Sequence, residues 1–96
     1  MENLEKVKSL ARDLRSTEPR SPHEELGGEI YAARTLDKAR ATLVGWNGEY
    51  QFGCPMDQHF FHDTGIDMQA FKDFVATGAN DDEVAQWIQQ HSHPRK

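Results

Sequence analysis

Apolar residues in this 96-residue chain recur at helical spacing, but only in short runs that each end at a proline or a glycine. Leu4, Val7, Ala11 and Leu14 keep a three- and four-residue rhythm that stops before Pro19. Met68, Phe71, Phe74 and Val75 repeat it before Gly78, and Val84, Trp87, Ile88 and His91 repeat it before Pro94. Segments this short, each with its own start and stop, predict short helices joined by tight turns. The expected architecture is an all-α bundle of about five short helices in one domain, residues 1–96, with 92–96 a frayed tail.

The start signals refine the boundaries. Ser21-Pro22-His23-Glu24 has the form of a capped helix start, with proline at the first helical position and Glu24 placed for a capping box. Gly27-Gly28 interrupts it at about 1 kcal/mol per glycine relative to alanine, so a hinge or a close approach by another backbone must account for the pair. The main helix is then expected over 29–44. Gly45 can end it, and Asn47-Gly48 signals a tight turn. A minimal hairpin pairing 44–46 with 49–51 is the alternative, and turn is preferred because an isolated two-stranded hairpin is marginal in water. Pro55 opens a helix through His62 that Gly65 stops. Asp67 caps the next, with Ile66 placed to pack on Phe71, and Asn80 with Glu83 forms a capping box for the last.

Composition limits the function classes. The net charge is −5, and residues 41–96 carry the whole imbalance, which weakens any attraction to a phosphate backbone; no nucleic-acid partner is expected. No apolar run approaches the roughly 20 residues that span a bilayer, so no membrane association is expected either. The single cysteine, Cys54, and an N-terminus without a signal-like apolar region point to the cytoplasm. With 36% apolar and 28% charged residues the core is thin, although five Phe, two Trp and two Tyr enlarge it. Pairing with a second copy, as a homo-oligomer, or with a protein partner would add stability.

Several groups of residues together carry a likeness to a known family. They are Leu10-Ala11-Arg12-Asp13-Leu14-Arg15, Pro19-Arg20-Ser21-Pro22, Leu26-Gly27-Gly28, Ala33-Arg34, Asp37-Lys38-Ala39-Arg40-Ala41 and Gly48-Glu49-Tyr50. Cys54-Pro55-Met56-Asp57, Gly65-Ile66-Asp67, Phe71, Val84 and Trp87 continue the series. With these the chain resembles the uncharacterised bacterial domain of unknown function numbered five-zero-six-nine. The resemblance implies no particular activity, cofactor or catalytic residue, so the chemistry has to be read from the side chains.

On a helical wheel, Leu26, Ile30, Ala33 and Val44 cluster on one face of the main helix, and Asp37 and Arg40 fall within it. Buried charges need partners, so these two should pair with each other, with Arg34 or with a partner group. One reading is an ion pair that sets helix register. The other is a polar pocket in which Arg34, Lys38 and Arg40 hold a carboxylate or phosphate, with Asp37, Tyr50, Cys54 and Asp57 nearby. Cys54 precedes Pro55 at a helix start, where backbone dipoles favour a thiolate, and His62 is better aligned with it than His59. Cys54, Asp57, His59, His62 and Asp63 include metal-ligand types but show only one spaced pair, so no metal and no cofactor is expected. The last two helices superficially suggest a helix-turn-helix, but its second helix opens Asp81-Asp82-Glu83, the wrong charge for a DNA groove. No catalytic set is complete. The expectation is a small helical interaction module, the alternative a small enzyme or a binder of anionic ligands.

Overall fold

Three side-chain oxygens, on Asn3, Asp67 and Asn80, accept hydrogen bonds from amides in the first turns of helices and fix where those helices begin. A computed structural model describes residues 2–93. Five helices follow in order: α1 (Leu4–Leu10), α2 (Ala32–Leu43), α3 (Pro55–Thr64), α4 (Met68–Val75) and α5 (Asp81–His91). Among the described residues there is no strand, only an isolated bridge between Leu26 and Glu29. No helix is long and apolar enough to cross a membrane.

Helix α2 is the axis of the molecule and packs against α1, α3 and α4. Its residues 32–33 and 35–41 are all buried, charged ones included. Four alanines in that stretch, Ala32, Ala33, Ala39 and Ala41, let neighbouring elements approach closely. Phe71 of α4 anchors the core, with ring centroids 5.5–6.4 Å from Phe61, Phe60, Trp87 and Phe52 in edge-on and stacked geometries. Ile66 and Phe71, expected to pack on each other, are both buried in this core. Asn80 and Glu83 form the reciprocal capping box.

The structure corrects the sequence reading in the first third of the chain. Helix α1 stops at Leu10, and Ala11 is extended. Beyond it, Asp13 accepts from the Arg15 amide through its side chain and from the Ser16 and Thr17 amides through its carbonyl, a local turn that competes with helix. Leu14 is buried from this turn, donating its amide to the Trp46 carbonyl, while Leu4 is exposed. Ser21-Pro22 starts no helix. Ser21 accepts from the His23 amide and its carbonyl takes the Glu24 amide, after which Gly27 and Gly28, at φ 63° and 82°, reverse the chain between Leu26 and Glu29. Here the expectation of a close backbone approach is met at Gly27: a Cβ there would lie 2.9 Å from the Ala85 carbonyl oxygen, whereas one at Gly28 would meet nothing.

Helix α2 therefore begins at Ala32, later than expected, and Leu26 and Ile30 are outside it, with Ile30 exposed. Its N-cap, Tyr31, has φ 69°, a conformation costly for a non-glycine residue. The Tyr31 amide donates to Pro22, and its ring stacks on His59 of α3. Met68, which shares the helical repeat of Phe71, Phe74 and Val75, is exposed, whereas Phe71 and Val75 are buried. Residues 47–50 form a turn, closed by the Tyr50 amide on the Asn47 carbonyl and by the Asn47 side chain on the Tyr50 carbonyl. Of the expected tail, Ser92 donates to the Ile88 carbonyl and His93 to that of Thr64; positions 94–96 lie outside the described residues.

Candidate functional site

Asp37 and Arg40 do point inward, and each finds a partner on another element. Asp37 accepts from the Arg20 side chain at 2.9–3.2 Å and from the Arg20 amide at 2.8 Å. Arg20 also donates to Asp81 at 2.8 Å. Asp81 accepts from Arg40 at 2.9 Å, and Arg40 donates to the Ala79 carbonyl at the same distance. The result is a continuous chain of charges, Asp37–Arg20–Asp81–Arg40, that ties the loop before α2 and α2 itself to the start of α5. Side-chain exposure runs from 6% at Asp37 and 5% at Arg40 through 16% at Arg20 to 44% at Asp81, so the network is buried at both ends and opens to solvent at Asp81.

The charges sustain one another. Burial works against the charged form of Arg20, but hydrogen bonds and charge from Asp37, then Asp81, outweigh it and hold its pKa above the usual arginine value. Burial likewise works to raise the Asp81 carboxyl, yet Arg20, then Arg40, outweigh it and hold it below the usual carboxylate range. A cleft of about 600 Å³ lies over this network, between the end of α1 and the start of α5. Its lining includes Leu10, Arg12, Arg40, Asp81 and Asp82. The Nε of Arg40 is buried and without a hydrogen-bond partner among the described residues.

The remaining sequence candidates gather elsewhere. Lys38 donates to Cys54 Sγ at 2.9 Å and lies 3.5 Å from both carboxylate oxygens of Asp57. Asp57 also accepts from Thr35 Oγ1 at 2.9 Å and from the Gly53 amide at 2.8 Å. The Lys38 and Asp57 side chains are sealed at 4% and 1% exposure. Arg34 lies over the Tyr50 ring, 5.8 Å from its centroid, and donates to the Arg20 carbonyl at 3.3 Å. The seven residues grouped on the sequence thus separate into three groups around α2: Asp37 and Arg40 under the cleft, Lys38, Cys54 and Asp57 against α3, and Arg34 over Tyr50. Asp37 and Arg40 are not hydrogen-bonded to each other.

Two participants escaped the sequence reading, Arg20 and Asp81. Arg20 stands next to Pro19 in a loop, with nothing in its spacing to connect it to Asp37 seventeen residues later. Asp81 was read only as a helix-start acid, which it also is. Among the described residues no three His, Cys, Asp or Glu side chains converge as metal ligands.

Fold and clusters define an all-α domain whose central helix carries paired charges into the interior. The chain belongs to the family described as Domain of unknown function (DUF5069), whose model matches residues 16–96. No curated protein matches it significantly.

Proposed function

We propose that this chain is a protein-interaction module that takes a short polar peptide segment of a partner in the α1–α5 cleft. The carrying observation is the cleft's charge: in a chain of net charge −5, its lining brings Arg12, Arg20 and Arg40 together with Asp37, Asp81 and Asp82. Such a surface matches a segment presenting both signs better than a simple anion, which the aspartates repel. The buried charges below are already locked, so little ordering is needed on binding. At the rim, the exposed Arg12, which also donates to the Glu18 carbonyl, and the exposed Asp82 are placed to meet the partner. A cytoplasmic setting, where thiols stay reduced, fits the single cysteine.

A random peptide library displayed against the immobilised protein tests this, with calorimetry on the selected peptides. Selected sequences should place acidic and basic residues side by side and bind more tightly than about 1 mM. The double variant Arg12→Glu, Asp82→Lys, which leaves the buried network intact, should weaken them at least tenfold. Failure to select any such peptide, or equal binding to the variant, overturns the proposal. Sedimentation then reports whether a second copy can supply the segment.

A further inference from the structure

The Lys38–Cys54–Asp57 cluster against α3 has a chemistry that peptide binding does not use. Lys38 Nζ and Cys54 Sγ are 2.9 Å apart, an amine and a thiol in direct contact with no atom between them. The two differ in access: Lys38 is buried, whereas Cys54 is partly exposed. A small oxidant from solvent therefore reaches the sulfur while the amine waits behind it. Asp57, 3.5 Å from the same nitrogen, is placed to take a proton from it, and is itself held by Thr35 and the Gly53 amide. The Lys38 ammonium and the start of α3 both present positive charge to the sulfur, the kind of surrounding in which cysteines attack peroxide.

We infer that Lys38 and Cys54 form a covalent, reversible cross-link when the protein meets hydrogen peroxide. In the first step the sulfur attacks one peroxide oxygen, the O–O bond breaks, and Cys54 becomes a sulfenic acid with release of one water. In the second, Lys38 passes a proton to Asp57 and its lone pair attacks the sulfenic sulfur. The S–N bond forms, the S–O bond breaks, and the hydroxide leaves as water with the second proton of the nitrogen. Asp57 returns its proton to solvent. Sulfur is oxidised, one peroxide is reduced, and the protein is lighter by two hydrogens. A thiol reductant reverses the link: one thiol attacks the sulfur and releases the Lys38 amine, and a second frees Cys54 from the mixed disulfide as the reductant becomes a disulfide.

The link joins the middle of α2 to the N-cap of α3 across sixteen positions of sequence and removes the charge that faces Asp57. It is a modification site that responds to oxidant, and its chemistry is independent of the cleft.

The test is intact-protein and peptide mass spectrometry after treatment with a few equivalents of hydrogen peroxide at neutral pH. Most of the protein should shift by the loss of two hydrogens, a peptide pair joined through Lys38 and Cys54 should appear, and dithiothreitol should restore the original mass. Lys38→Arg, which keeps the charge but offers a poor nucleophile, should give no link and accumulate the sulfinic and sulfonic acids of Cys54. Cys54→Ser should give neither product. Oxidation of wild type to sulfinic acid without linkage, or the same products from wild type and Lys38→Arg, would overturn the inference. A linked product carrying an extra oxygen would overturn the condensation step.

Discussion

Replacing Arg20 with methionine keeps a long apolar stem but removes the guanidinium on which the charge network turns. Asp37 would lose its side-chain bonds to Arg20 and retain only the Arg20 amide at 2.8 Å, while Asp81 would keep Arg40. Breaking a buried ion pair by removing one partner costs about 3–5 kcal/mol. Arg20 itself is 16% exposed and lines the cleft, so water compensates in part and the low end, about 3 kcal/mol, is expected. For a domain of this length each 1 kcal/mol moves Tm by about 4–8 °C, so the midpoint should fall by more than about 10 °C. Adding Asp37→Asn removes the stranded charge. The double variant should be more stable than the sum of the two singles implies, by about 2 kcal/mol. Urea unfolding at pH 7 of wild type, both singles and the double measures all four values. An Arg20→Met cost below about 1 kcal/mol, or additivity within about 0.5 kcal/mol, would refute the hub role.

Gly27→Ala should cost at least about 2 kcal/mol and Gly28→Ala about 1 kcal/mol: both positions have positive φ, but only Gly27 abuts the Ala85 carbonyl; urea midpoints of the two variants check the order. Phe71→Ala should destabilise by about 3–5 kcal/mol, since the ring is fully buried among four other aromatic rings, and calorimetric melting reads it. Because the Asp81 carboxyl is lowered from its ordinary 3.8 in the folded protein, its stabilisation is complete above that value and lost as pH falls through the lower folded one. Wild type should therefore lose more stability than Asp81→Asn between about pH 5 and pH 2, by less than about 1 kcal/mol given the partial exposure of the group. Equal slopes in urea titrations at those pH values would contradict this.

How much of this could be read from the chain depended on whether the deciding interaction was local. The Asn80 capping box, the Asp67 cap and the stop at Gly65 are made within a few residues, and each is where the sequence put it. Ser21-Pro22-His23-Glu24 also looked like a helix start on local rules, but the left-handed pair Gly27-Gly28 turned the chain back before a helix could grow. The inward direction of Asp37 and Arg40 was legible from the wheel. Their partners were not, because Arg20 and Asp81 arrive from segments seventeen and forty-one residues away. The wheel also assumed a helix with one dry face. Helix α2 is enclosed on nearly all sides, so its charged residues diverge: Asp37 and Arg40 lie beneath the cleft, Lys38 faces α3 and Arg34 lies over Tyr50.

The α1–α5 cleft as a peptide site is tested most directly by recording amide and arginine side-chain NMR spectra of the labelled protein during titration with a selected peptide. The largest shifts should fall on Leu10, Ala11, Arg12, Asn80, Asp81 and Asp82 and on the Arg40 Nε–H, with Lys38, Cys54 and Asp57 unmoved. Saturable shifts centred on any other surface, with these resonances unchanged, would contradict the account.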